Sequence, residues 1–280
     1  MPPLARQAFL ITGCASGIGR HLAERAVTAG HQLLATDLDA AALAREAQRL
    51  GWRAPQVDHC PLDVRDANAW PAVIDRAVQT FGRLDVVMNV AGVIQPGYVH
   101  EISPETVLLH IDVNARGVML GTQAAARQMV RQGHGHIINI SSMAGIAPIP
   151  GIASYSASKF AVRGFSLAVA HELRSHGVSV TCVCPDAVET PMLDLQMTHE
   201  AAALTFSAKR FLRVEDVGRA IFERALPRRP LEITLPRSRG WLAKLTSLWP
   251  ASARWLLPSL TRDSLKRQAR YRAQKESQRE

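Results

Sequence analysis

The sequence predicts an α/β protein: a doubly wound parallel sheet forming a single domain, with a basic extension at its C-terminus. Three observations carry this expectation. Short apolar, β-branched runs alternate with helical patterns as far as about residue 235, a glycine-rich turn joins the first run to the first helix, and the excess positive charge is confined to the last fifth of the chain. Strands that are apolar at nearly every residue are buried on both faces, which a parallel sheet with helices on each side provides.

The strands fall at 8–12, 32–36, 56–61, 86–89, 136–140, 178–184 and 231–235, with helices near 17–29, 40–50, 67–81, 111–131, 155–175 and 214–225. Ser103-Pro104-Glu105 combines an N-cap, a first-turn proline and a first-turn acid, so one more helix is expected to start there. At 280 residues the chain can bury one sizeable core, and 47% hydrophobic with 20% charged residues is ordinary for a globular protein. No apolar stretch reaches the ~20 residues needed to cross a bilayer. Met1-Pro2-Pro3-Leu4-Ala5-Arg6 lacks the charged-then-apolar plan of a signal peptide, so a cytoplasmic protein is expected. Cys14, Cys60, Cys182 and Cys184 show no disulfide framework and no metal-binding spacing, and are expected to be buried thiols.

Thr12-Gly13-Cys14-Ala15-Ser16-Gly17-Ile18-Gly19 follows the first strand and opens the first helix. Glycines there permit a tight turn and let backbone N–H groups approach a pyrophosphate at the positive end of a helix, the arrangement of a Rossmann-type nucleotide fold. A plain strand–helix turn can leave the same pattern. The second strand ends in Thr36-Asp37. A carboxylate at that point accepts hydrogen bonds from both adenosine ribose hydroxyls and repels a 2′-phosphate, favouring NAD over NADP. It also suits the cap of the next helix.

Tyr155 and Lys159 lie four residues apart and so project from one face of a helix. A phenol with its ordinary pKa near 10 is a poor acid or base at neutral pH, and an ammonium held close moves it toward the working range. Ser142 stands just after the apolar run His136-Ile137-Ile138-Asn139-Ile140. A strand-end hydroxyl facing the Tyr/Lys pair can bind a carbonyl or alcohol oxygen while the phenol exchanges its proton. An amphipathic helix also produces a lone Tyr-x-x-x-Lys. The ordered motifs around this one decide between the two.

The chain resembles the short-chain dehydrogenases/reductases from about residue 8 to residue 235, with their landmarks in order. The family's TGxxxGIG is present as Thr12 to Gly19, its acid after strand two as Asp37, and its Asp-Val pair as Asp63-Val64. Its NNAG is Asn89-Val90-Ala91-Gly92, with Val90 in place of the second asparagine; its helix asparagine is Asn114. Its PGxxxT is Pro185 to Thr190, with Asp186 in place of the glycine. The resemblance implies hydride transfer between an alcohol or ketone carbon and a nicotinamide. It implies catalytic roles for Asn114, Ser142, Tyr155 and Lys159: Tyr155 would transfer the proton, Lys159 would lower the phenol pKa and bind the nicotinamide ribose, Ser142 with Tyr155 would hold the substrate oxygen, and Asn114 would help keep a water chain. Cofactor contacts are implied at Gly13, Ser16, Gly17, Ile18, Gly19, Asp37, Asp63, Val64, Asn89, Ala91, Gly92, Tyr155, Lys159, Pro185, Val188 and Thr190. Asp186 is open to three readings: a bond to the nicotinamide ribose, attraction for the positively charged oxidised ring, or a side chain turned to solvent. The resemblance also implies a homodimer or homotetramer.

His100, His110 and His171 share no spacing with a nucleophile or metal site and read as surface or satisfied core residues. The segment Met192 to Met197, then Ala201 to Phe206, matches the family's substrate lid. Its Met, Leu and Phe content suggests a lipophilic secondary alcohol or ketone, although the same residues fill ordinary cores. Two rival functions are a 3-oxoacyl-thioester reductase, which usually favours NADPH, and a catalytically silent NAD-sensing protein, which has no need of the phenol–ammonium pair.

Residues 228–280 hold thirteen Lys/Arg against four Asp/Glu, a net of +9, whereas residues 1–227 hold twenty of each sign. The expected division is therefore a catalytic domain, 1–235, and a basic, Trp-containing extension, 236–280. Trp241, Leu242, Leu245, Leu248 and Trp249 form an apolar helical face, and Trp255-Leu256-Leu257 with Leu260 resume it after Pro250. Packing on the domain or on a dimer partner is the preferred reading of this face, ahead of an anionic membrane surface. No recognised nucleic-acid module accompanies the basic run. Residues 263–280 are expected to be a solvated helix or a disordered end.

Overall fold

A computed structural model describes residues 6–278. Seven parallel strands, β1 (Ala8–Thr12), β2 (Gln32–Asp37), β3 (Val57–Pro61), β4 (Val86–Asn89), β5 (Gly135–Ile140), β6 (Val178–Pro185) and β7 (Glu232–Leu235), form one sheet in the order β3-β2-β1-β4-β5-β6-β7. The predicted strands are all present, with ends shifted by one residue at most. The helices are α1 (Gly17–Thr28), α2 (Ala40–Arg49), α3 (Ala69–Phe81), α4 (Pro104–Leu109), α5 (Gly117–Gln132), α6 (Ala153–Glu172), α7 (Pro191–Asp194), α8 (Val214–Ala220), α9 (Leu226–Arg228), α10 (Arg237–Leu248) and α11 (Ala253–Ser277). Ser103 caps α4 by accepting from the Thr106 N–H, as its sequence predicts. The helix expected over 111–131 instead opens with a π-helical turn, His110–Arg116, which carries Asn114.

Alternation along β1 sorts the core into two layers. Phe9 and Ile11 pack with Leu22 and Ala26 of α1 and Val217 of α8, while Ala8 and Leu10 face Trp70 and Ile74 of α3 and Met129 of α5. The strand order reverses between β1 and β4, whose carboxyl ends open the crevice where ligands of such sheets bind.

The C-terminal extension departs from expectation. Helix α11 lies along the turns Glu200–Ser207, and Ser264, Gln268 and Tyr271 are buried there. Residues 263–277 are therefore a helix that packs one face on those turns, while most of its other residues are exposed as expected. Their buried set is largely polar and is held by specific hydrogen bonds, a pattern that hydrophobic spacing does not reveal. Helix α10 differs in the other direction: Trp241, Leu242, Leu245 and Leu248 are 59–82% exposed, so the preferred packing of that face on the domain is absent.

Candidate active site

Two adjoining clefts occupy the carboxyl edge of the sheet. The outer one, of about 480 Å³, is lined by Gly13, Ser16, Gly17, Ile18, Gly19, Asp37, Asp63, Val64, Ala91 and Gly92, among others. The inner one, of about 110 Å³, is lined by Ser142, Tyr155, Lys159, Pro185, Asp186 and Val188, and by apolar Ile94, Met143, Ile149, Ile152 and Met192. Ile18, Val90, Gly92, Thr190 and Met192 line both, so the two clefts are continuous.

The outer cleft has the form of a dinucleotide cradle. Gly13 and Gly17 take positive φ of 75° and 53°, and a Cβ at Gly19 would collide with the Gly13 carbonyl. The loop is tied to β2 by Asp37, whose carboxylate accepts from the Ala15 N–H at 2.8 Å and the Asp39 N–H at 3.1 Å. The cap of α2 is Asp39, not Asp37, because Asp39 accepts from Ala42 N–H. Asp63 carries a bidentate bond from Arg65, which also lines the cleft and which holds the Asp63 carboxyl below its ordinary range.

Asn89 closes β4. It is buried away from both clefts and donates to Asn139 Oδ1 at 2.8 Å, inside a network with Thr122 that joins β4, β5 and α5. Thr12 instead holds the end of β4, its hydroxyl accepting from the Val90 and Ala91 N–H groups.

Asn114 sits in the π-helical turn with its side chain committed within the protein. Both amide protons of Asn114 are spent, on the Val93 carbonyl at 2.9 Å and on Ser158 Oγ at 3.2 Å, and its Oδ1 accepts from Val93 N–H at 2.8 Å. This clamps the chain after β4 to α6. The fit is close: a Cβ on Gly92 would stand 3.1 Å from Asn114 Oδ1 and 3.6 Å from Lys159 Nζ.

Ser142, Tyr155 and Lys159 converge on the inner cleft. Ser142 Oγ accepts from the Ala144 N–H at 3.1 Å and meets the Tyr155 hydroxyl. Lys159 Nζ donates to the Ile140 carbonyl at 3.0 Å and stands 5.7 Å from the centre of the phenol ring. Burial pushes the phenol up to about 12, opposed by the Ser142 hydroxyl, and pulls the Lys159 ammonium down to about 8. Desolvation outweighs the Ser142 hydroxyl at the phenol, and the Lys159 ammonium is turned to the Ile140 carbonyl.

Two further residues, His110 and Asp186, stand beside these groups. His110 is buried, packs edge-on to Tyr155, accepts from the Gln95 N–H at 2.9 Å and meets Ser154 Oγ at 2.9 Å; burial holds its pKa down. It supports the tyrosine, and its only sequence signal was a histidine on an apolar helix. Asp186 is not turned to solvent: its side chain is 11% exposed, lines the inner cleft and is ion-paired with Arg239 of α10.

The lid splits into two faces. Met192, Leu193, Gln196 and Thr205 line the inner cleft, while Leu193 also joins Phe206, which does not line it, in a cluster with Tyr271. Helix α11 straps it down: the Tyr271 hydroxyl donates to Asp194 at 2.7 Å, Gln268 Nε2 donates to the Gln196 and His199 carbonyls at 2.9 and 2.8 Å, and Arg267 donates to the Phe206 carbonyl at 2.9 Å. Among the described residues no cluster of His, Cys, Asp or Glu could hold a metal ion, and all four cysteines are free and buried.

A parallel sheet with its glycine cradle and a Ser/Tyr/Lys pocket at the switch point defines an oxidoreductase of the nucleotide-binding Rossmann class. The family model described as short chain dehydrogenase matches residues 7–201. The chain is 37% identical over 191 residues to 3beta-hydroxysteroid dehydrogenase 2 of Eggerthella lenta, covering 68% of this chain and 74% of that one. It is 40% identical over 192 residues to the 2,5-dichloro-2,5-cyclohexadiene-1,4-diol dehydrogenase LinX of Sphingobium indicum, covering 68% and 76%. Among solved structures, a short chain dehydrogenase/reductase from Burkholderia phymatum in complex with NAD is similar over 92% of this chain and 97% of that chain, with a TM-score of 0.79 at 28% identity. The chain belongs to the short-chain dehydrogenase/reductase family.

Proposed function

We propose that the protein is an NAD(H)-dependent oxidoreductase that interconverts a lipophilic secondary alcohol and its ketone. The observation that carries this is the convergence of the Ser142 hydroxyl, the Tyr155 phenol and the Lys159 ammonium on one apolar-walled pocket continuous with the glycine cradle. When bound, the nicotinamide cofactor supplies or accepts the hydride. The glycine turn Gly13–Gly19, with Asp37 and Asp63, would hold it; two carboxylates, Asp37 and Asp39, stand at the end of β2 and disfavour a 2′-phosphate.

The chain's own groups manage the oxygen and its proton. Ser142 holds the substrate oxygen against the Tyr155 hydroxyl, and Tyr155 passes its proton to that oxygen in reduction and takes it back in oxidation. Lys159 offsets the charge left on the phenol. Asn114 and His110 keep α6 and the loop after β4 in register, so the three groups stay aimed at one point. The apolar lining by Ile94, Ile149, Ile152 and Met192 suits a lipophilic substrate, as do the names of the steroid and cyclic-diol dehydrogenases it resembles. Residues 1–235 then carry the reaction, and residues 236–280 form an extension whose last helix braces the lid. Homo-oligomeric assembly and a cytoplasmic location belong to this reading, supported by family membership and by the absence, among the described residues, of a helix able to cross a membrane.

The test is NADH absorbance across alcohols from short-chain to steroid size, beside titration of both dinucleotides into wild type and Asp37→Ala. NAD should bind more tightly than NADP, and the variant should narrow the gap. Tighter binding of NADP would contradict the cofactor assignment.

A further inference from the structure

Helix α10 is amphipathic in the reverse sense for a surface helix. Its polar side chains face the domain: Arg239 pairs with Asp186, Lys244 pairs with Glu232, and the Ser247 hydroxyl donates to the Ile146 carbonyl. Its large apolar side chains face out, with Trp241 69%, Leu242 59%, Leu245 60% and Leu248 82% exposed, and Trp255 of α11 is itself 86% exposed. A surface helix ordinarily buries its apolar stripe and wets the other face. The anchoring ion pairs hold α10 in this orientation, so the patch is a built feature of the surface.

The charge around the patch has one sign. Residues 237–262 contain five Lys/Arg and no Asp/Glu. At the start of α10, Arg224, Arg237, Lys244 and Trp241 surround a hollow of about 150 Å³. Glu232, the carboxylate lining that hollow, is already taken up by Arg163 and Lys244. Among the described residues Arg224, Arg228 and Arg237 make no ion pair, and burial, with the charges of Arg237 and Arg228, holds Arg224 below its ordinary pKa.

We propose that the outer face of α10, with the Arg224/Arg228/Arg237 cluster beside it, docks on the surface of an anionic phospholipid bilayer. Exposed Trp and Leu at the level of the headgroups, flanked by arginines that meet lipid phosphates, is the chemistry of an interfacial helix. A second copy of the chain is the less suitable occupant. A two-fold contact sets the patch against its own copy and doubles the positive charge at the seam, with no Asp or Glu within residues 237–262 to answer it. Among the described residues no helix is long and apolar enough to cross the membrane, so the contact is peripheral.

Co-sedimentation of the full-length protein with vesicles of phosphatidylcholine alone, and of phosphatidylcholine with phosphatidylserine, tests this. Binding should require phosphatidylserine and weaken in high salt, as screening shortens from about 10 Å at 0.1 M to about 3 Å at 1 M. Arg224→Gln with Arg237→Gln should lower the vesicle partition coefficient about 30-fold, at the usual worth of a basic residue near an anionic surface. Leu245→Asp with Leu248→Asp should abolish it while leaving the melting temperature and NAD binding unchanged. Equal binding to both vesicle types, or no binding to either, overturns the proposal. So does an apolar variant that converts a dimer to a monomer and binds vesicles as well as wild type.

Discussion

Asp186 and Arg239 form an ion pair that ties the loop beside the inner cleft to the first helix of the C-terminal extension, with the Asp186 side chain only 11% exposed. Arg239 also donates to Ser207 Oγ at 2.8 Å, so one guanidinium joins the loop, the lid and the extension. Burial raises the Asp186 pKa, and Arg239 opposes that shift.

Removing Arg239 leaves a buried carboxylate without its cation. Arg239→Met should destabilise the protein by about 2–3 kcal/mol, under the 3–5 typical of a fully buried pair because Arg239 is itself about a third exposed. Adding Asp186→Asn should restore most of that loss, and urea unfolding of the two single variants and the double variant measures the coupling. Additive losses would mean that the pair is not coupled.

The strap between α11 and the lid should show in substrate binding. The Tyr271 hydroxyl donates to Asp194, and burial with the Asp194 charge keeps the phenol protonated. A hydrogen bond to a charged group is worth about 1.5–3 kcal/mol. Tyr271→Phe should therefore raise KM several-fold and speed proteolytic cutting of residues 195–206, with NAD affinity unchanged. Unaltered KM and proteolysis would show that the lid holds without this bond.

Acid sensitivity should trace in part to His136. This β5 residue is buried, its Nε2 is 2.8 Å from Thr181 Oγ1, and burial with the nearby Arg229 charge lowers its pKa to about 3. A depressed folded pKa means that the stability is complete above about pH 6.5 and is lost as pH falls toward 3. At pH 5 the loss from this one group is about 2 kcal/mol. His136→Gln should flatten the drop in unfolding free energy between pH 7 and pH 5. An equally steep drop in the variant would assign the acid limb to other groups.

The strands were legible because apolar β-branched runs between turn residues leave few alternatives, and the glycine turn and Tyr155/Lys159 because their spacing is local. What sequence could not show lies in long-range pairs. Asp194 and Tyr271 are 77 residues apart, and nothing near either marks the other. Helix α11 looked solvated because Ser264, Gln268 and Tyr271 are mostly polar residues buried through hydrogen bonds. Helix α10 showed a genuine apolar face, but periodicity fixes only that a face exists, and the anchoring of Arg239 and Lys244 decides that it turns outward. Local spacing likewise leaves the direction of Lys159 open: four residues bring the ammonium near the Tyr155 ring, and the Ile140 carbonyl determines where it points.

The central claim is that Tyr155 moves the proton at the substrate oxygen. Tyr155→Phe deletes one hydroxyl and keeps the ring against His110 and Ile152. The direct measurement is turnover by NADH absorbance in wild type and variant, on the best alcohol of the panel, with NAD affinity measured on the same samples. Turnover should fall by about 10²–10⁴, the usual contribution of a general acid–base group, while NAD affinity and the melting temperature stay near wild type. Near-wild-type turnover in the variant would contradict the account.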